Sequence, residues 1–195
     1  PGVLLQELTS RYTTQIVKVD NGGRSGEAIT DPATIDTPTA VTRFDSLVRG
    51  HGAALIMEGT NDLAKAHVAA NQAAQDNILA SAAAGLRRMV IDAKASGARP
   101  FLATIAPMNP TGSRGQTFGW DLVAGFNERV AAVAANEQVP LVDVNKAFGG
   151  NLSLLGADGV HPTSEGYKVI ADTFLTAIES TLETKSTVAT TLRRR

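Results

Sequence analysis

Apolar positions along the chain alternate between two periods. At 1–12 (PGVLLQELTSRY), Val3, Leu4, Leu8 and Tyr12 fall at near-helical spacing, and Pro1 suits a first helical turn. IVKVD at 16–20 is a short β-branched run and predicts a strand, ending in the glycine-rich turn Asn21-Gly22-Gly23-Arg24-Ser25-Gly26. Residues 31–52 begin with Pro and Thr and then predict a helix, TAVTRFDSLVRG. AALIM (53–57) is continuously apolar, as a strand buried on both faces would be. The clearest helix is 71–96, with Ile78, Leu79, Leu86, Met89, Val90 and Ala93 on one face and Gly97 to stop it. PFLATIAP (100–107) predicts another strand, followed by a loop, MNPTGSRGQTFG. A helix over 120–137 carries Leu122, Phe126, Val130 and Val133 on one face. PLVDV (140–144) predicts a short strand and 163–183 a last helix.

Apolar strands alternating with helices imply a parallel sheet covered on both faces, an α/β doubly wound domain. The expected domain spans 1–183, with a polar, frayed tail at 184–195. In such sheets ligands bind at the carboxyl ends of the strands. The expected site segments are therefore 21–27, 58–62, 107–120 and 158–162.

Composition narrows the function. The 195 residues suit one domain with a real core. A net charge of −1 gives no footing for nucleic acid, and no apolar run approaches the roughly 18–20 residues of a membrane span. The absence of cysteine excludes disulfides, thiol catalysis and Cys-based zinc sites. His51, His67 and His161 lie far apart and lack a zinc spacing, so no metal is expected. Neither a G-x-G-x-x-G run nor a P-loop is present, which disfavours a flavodoxin-like mononucleotide binder.

Three segments carry candidate chemistry. Asp158-Gly159-Val160-His161-Pro162 spaces a carboxylate three residues from an imidazole that can shuttle a proton near neutral pH. A carboxylate can orient such a ring and stabilise its protonated form. A D-x-x-H pair alone is more often a plain helix-entry loop. Gly59-Thr60-Asn61-Asp62 comes directly after a strand. Asn61 there can aim an amide at a developing oxyanion and Asp62 can cap the next segment, but by composition alone the stretch is a turn. The glycines of 22–26 allow close backbone approach to a ligand, or simply a tight turn.

Their order and placement at strand ends resemble the SGNH, or GDSL-type, hydrolase family, with DGVHPTSEGY and GTND the most specific pieces. The resemblance covers nearly the whole chain. It implies a flavodoxin-like doubly wound sheet and hydrolysis of carboxylic esters or thioesters without metal or cofactor. By the same resemblance His161 is the general base, Asp158 its orienting acid, Asn61 a side-chain oxyanion donor and Gly26 a backbone donor. The partner implied is a small-molecule ester. Substrate groups, oligomeric state and cellular location are not legible.

The family's nucleophile sits in a Gly-Asp-Ser turn after its first strand, and no Gly-Asp-Ser occurs here. The chain opens directly on a helix without an initiator Met, so the first strand is expected to be missing and the serine to lie upstream. Ser25 matches the residue before the oxyanion glycine, not the nucleophile, and is expected to be a turn serine bonded to nearby backbone. STVATTL (186–192) is too polar to replace a central strand. The chain alone is therefore expected to be inactive and poorly stable. The alternative is a non-catalytic domain on the same fold that binds an acyl ligand or carbohydrate. The loops 107–120 and 62–72, with Met108, Phe118 and Trp120, are expected to shape the substrate pocket.

Overall fold

The structure, a computed structural model, describes residues 1–30 and 39–183. The predicted tail at 184–195 lies outside the described residues. The elements run α1 (Gly2–Arg11), α2 (Ala40–Val48), β1 (Ala53–Ile56), α3 (Thr60–His67), α4 (Gln72–Ala95), β2 (Arg99–Ala103), α5 (Val123–Asn136), β3 (Leu141–Val142), α6 (Val144–Ala147) and α7 (Ser164–Leu182). The strands form a parallel sheet in the order β1-β2-β3, with Ala53 opposite Arg99 and Leu102 opposite Leu141.

Alternate strand residues feed two cores, as the two-residue period of a strand requires. Ala54, Ile56 and Leu102 face α2, α3, α4 and α5, where Leu86, Val90, Phe126 and Val130 are fully buried. Phe101, Ala103 and Val142 face α1 and α7, meeting Leu4, Leu8, Ile170, Phe174 and Ile178. Each large side chain removed from water in this way contributes roughly 1.5–3 kcal/mol. The α4 face matches the sequence pattern closely. Leu79, Leu86, Met89, Val90 and Ala93 are buried, Ile78 is partly so, and Gly97 ends the helix region at φ +82°. Asn71 caps α4 by accepting the Ala74 N–H at 2.9 Å, and Thr163 caps α7 by accepting from Gly166.

Helix α1 runs parallel to α7. Glu7 meets Lys168 at 3.2 Å, and one helical turn later Arg11 meets Glu179 and Glu183, each at 2.7 Å. These exposed pairs add little stability, but their order fixes direction. The amino end of α1 lies at the amino end of α7, beside the 158–162 loop.

The strand predicted at 16–20 does not form. This segment is extended but joins no ladder, and Ile16 is 98% exposed. A β-branched run becomes a strand only when a neighbour takes its backbone hydrogen bonds. Among the described residues, β1 pairs only with β2, and nothing bonds its other edge. Val17 and Val19 instead lie half-buried against the α1/α7 core, and Asp20 accepts a hydrogen bond from His51 Nε2 at 2.8 Å. In the other direction, α3 forms where a turn was expected.

Gly85 shows how tightly α4 packs. A Cβ there would sit 2.4 Å from Ile29 Cγ2 and 2.6 Å from Thr30 Cγ2, whereas a Cβ on Gly125 in α5 would meet nothing within 4 Å. Alanine gains up to about 1 kcal/mol over glycine in a helix, and overpacking costs about 1–3 kcal/mol. Urea unfolding should therefore show Gly85→Ala destabilised and Gly125→Ala stabilised by about 0.5–1 kcal/mol. Stabilisation by both would disprove the contact.

Candidate active site

All site segments lie at the carboxyl end of the sheet. The 154–163 loop is a compact turn. Gly156 N–H donates to the His161 carbonyl at 2.7 Å, Gly159 N–H to that of Gly156 at 2.9 Å, and Thr163 N–H to that of Leu154 at 2.8 Å. Gly159 adopts φ +77°, a conformation that favours glycine. Within this loop Asp158 Oδ1 accepts the N–H groups of Val160 (3.0 Å) and His161 (2.9 Å), while Oδ2 lies 2.5 Å from His161 Nδ1. The bond to the His161 ring, then the Val160 N–H, hold the Asp158 carboxyl down at about 2. It is thus an anion at neutral pH, so Nδ1 carries the proton and Nε2 is left for exchange. The His161 side chain is 61% exposed.

The second half of the site joins the 26–29 turn to the start of α3. Asn61 Nδ2 donates to the Glu27 carbonyl at 2.8 Å, using one of its two amide hydrogens. Asp62 is 1% exposed and accepts the Ile29 N–H at 3.0 and 3.2 Å. It lies within the first turn of α3, whose N-cap is Gly59, and its carboxylate is bonded to a backbone 33 residues earlier. Gly59 precedes α3 at φ +129°, pressed against the Phe126 ring, where a Cβ would lie at 2.3 Å. Gly26, at φ +74°, lies in the adjoining turn. Ser25 is exposed beside it, and its hydroxyl has no hydrogen bond among the described residues, contrary to expectation.

Asp158 and His161 are thus brought together, as are Asn61 and the Gly26 turn. No hydrogen bond joins the two pairs among the described residues. The 107–122 loop touches both. Asn109 N–H donates to the Gly159 carbonyl at 2.8 Å, while Gly119 abuts the Leu63 carbonyl and Asp121 lies 3.5 Å from His67 at the end of α3. Of the residues expected to line a pocket, Met108 is buried in the core, Phe118 packs against it and Trp120 is 45% exposed.

Sequence reasoning missed a group of charges here. Glu27 is buried and ion-paired with Arg43 at 2.5 Å. Burial pushes the Glu58 carboxyl up to about 7, helped by the charges of Glu27 and Asp62 and opposed by Arg43. The carboxylates at positions 27, 58 and 62 converge only in the fold, although Glu58 ending an apolar strand was a visible oddity.

A family model for the GDSL-like lipase/acylhydrolase family matches residues 1–169. The chain belongs to that family. Its chemistry is that of ester hydrolysis, and its substrates are small-molecule esters. No curated protein sequence matches it. Among solved structures it is similar to an acylhydrolase from Bacteroides fragilis NCTC 9343, with 27% identity, 73% of this chain and 69% of that one covered, and a TM-score of 0.59. The M. smegmatis aryl esterase shares its fold at 18% identity, with 92% and 83% covered and a TM-score of 0.71. So does an acetylxylan esterase from Geobacillus stearothermophilus, at 22% identity, 90% and 78% covered, and a TM-score of 0.68. The three-stranded parallel sheet flanked by helices agrees with the fold of these structures. Among the described residues no helix is long and apolar enough to cross a membrane.

Glu58 yields a pH dependence of stability. Its folded pKa of about 7 lies above the ordinary value of 4.5, so the folded state binds more protons between those values. Stability should fall as pH rises through that window. Glu58→Gln should reduce the slope and gain on the order of 1–3 kcal/mol at pH 8. Urea unfolding at pH 5 and pH 8 checks this, and equal slopes in both proteins would disprove it.

Proposed function

We propose that this chain is the acid–base and oxyanion half of a carboxylic ester hydrolase working by a Ser-His-Asp acyl-enzyme mechanism. The observation that carries the reading is the bond between Asp158 Oδ2 and His161 Nδ1. It fixes the ring tautomer that leaves Nε2 able to take a proton. A serine hydroxyl gives its proton to Nε2 as its oxygen attacks the ester carbonyl. The negative charge that develops on the carbonyl oxygen is met by the second amide hydrogen of Asn61 and the Gly26 N–H. Collapse of this intermediate expels the alcohol, which takes the proton from His161. Water then attacks the acyl-serine with His161 again as base, releasing the acid.

The serine belongs, on this reading, to a segment preceding Pro1. Two features favour that. The parallel packing of α1 on α7 brings the amino end of α1 to the His161 end of the molecule. The edge of β1 away from β2 is unpaired among the described residues, and 16–20 lies extended without a partner strand. A parallel strand entering there would deliver its carboxyl end to the same place.

The test is hydrolysis of p-nitrophenyl acetate by the full-length gene product. His161→Ala should lower kcat by roughly 10²–10⁴-fold. Asn61→Ala should lower it by roughly 10²–10³-fold with KM little changed. Residues 1–195 alone should show no turnover that depends on Ser25. Robust turnover abolished by Ser25→Ala would move the nucleophile to Ser25, and full activity of His161→Ala would overturn the mechanism.

A further inference from the structure

We propose that the 109–115 loop is a positioning device for the Asp158–His161 pair, with Gly112 and Asn109 as its positioning residues. The inference rests on the reading of Asp158 and His161 as the acid–base pair. Three successive carbonyls of the 157–159 segment are held by this one loop. The Ala157 carbonyl accepts from Ser113 N–H at 3.3 Å, and the Gly159 carbonyl from Asn109 N–H at 2.8 Å. The Asp158 carbonyl accepts twice, from the N–H groups of Arg114 (2.9 Å) and Gly115 (3.2 Å). The backbone of Asp158 is thereby clamped on both sides, and with it the direction in which its carboxylate leaves the chain.

The two loops meet backbone to backbone. A Cβ on Gly112 would lie 2.4 Å from Gly159 Cα and 2.5 Å from the Asp158 carbonyl carbon, atoms that cannot swing aside. The 109–115 loop also braces itself. Asn109 Oδ1 accepts from Thr111 N–H at 3.0 Å and from its hydroxyl at 2.8 Å. Gly112 N–H donates to the Asn109 carbonyl at 3.1 Å.

The His161 ring has little packing of its own and relies on Asp158 for its place. The His161 side chain is 61% exposed and that of Asp158 25%. Holding two such side chains in one geometry costs conformational entropy that a preset backbone avoids. The same stretch of chain continues to Gly119 and Asp121, which meet α3, the helix that begins with Thr60 and Asn61. It is the strut between the oxyanion half of the site and the acid–base half, which share no hydrogen bond among the described residues.

The experiment is NMR on the full-length gene product, following the His161 Nδ1 proton and the Asp158 carboxyl carbon, neither of which requires turnover. In the unaltered chain the proton should be shifted downfield and protected, and the carboxyl should titrate at about 2. Asn109→Ala removes the brace without adding atoms. It should speed exchange of the Nδ1 proton roughly five- to tenfold, the scale of one lost hydrogen bond. Asn109→Asp keeps the acceptor and should restore protection. Gly112→Ala should abolish it and move the Asp158 titration toward the ordinary carboxylate range. If Gly112→Ala fails to fold, the Asn109 pair of variants decides alone. Unchanged exchange in Asn109→Ala, or a loss that Asn109→Asp does not restore, overturns the proposal. Failed ester turnover by the full-length gene product with these signals intact would instead count against the mechanism and leave the positioning role standing.

Discussion

The arrangement depends on β2. It is paired with β1 on one edge and β3 on the other, and its side chains alternate into both cores. Phe101 and Leu102 are both fully buried although they face opposite ways. Beyond its end the chain stays clamped. Asn127 of α5 bonds both the N–H and the carbonyl of Ile105, and Asn145 of α6 donates to the same carbonyl. Thr104, 4% exposed, donates to Asp143 and accepts the Asn145 N–H. Buried polar groups satisfied in this way specify one geometry. The loop that leaves β2 therefore starts from a fixed point.

That fixed point matters because the site is assembled from chain segments with few direct links. Asn61 and Asp62 are neighbours in α3, and each binds the backbone of the 26–29 turn. Asp158 and His161 organise one another within a turn. What separates them is spanned by the loop after β2, which bonds to one pair's segment and packs against the helix of the other. Burial of Glu58 among Glu27 and Asp62 adds a destabilising term under the same end of the sheet, as functional regions often do.

Legibility tracked the range of the interactions. The α4 stripe, the α5 face and the runs that became β1 and β2 were readable, because side-chain period and burial are local properties of a helix or strand. The Asp158–His161 spacing was readable for the same reason, since three residues suffice to close the contact. The strand at 16–20 was misread because Ile16, Val17 and Val19 have the composition of a strand, while forming one requires a neighbour that composition cannot supply. Helix α3 was hidden by Gly59, Asn61 and Asp62, three residues that ordinarily make turns. The Asn61 and Asp62 side chains are instead bonded to backbone more than 30 residues away. The 109–115 stretch was readable only as a loop, while the hydrogen bonds that its backbone makes at nearly every step depend on the 157–159 segment some 45 residues later.

The way that loop holds its neighbour leaves an unusual freedom for change by descent. Its grip on 157–159 is made by backbone N–H groups, which every residue but proline possesses, and only its glycines, by contact, and Asn109, by its brace, are bound to their identity. Ser113 and Arg114 are exposed. Their side chains can drift in size and charge at the rim of the site without loosening Asp158. One short segment can thus vary what a hydrolase recognises while conserving how it reacts.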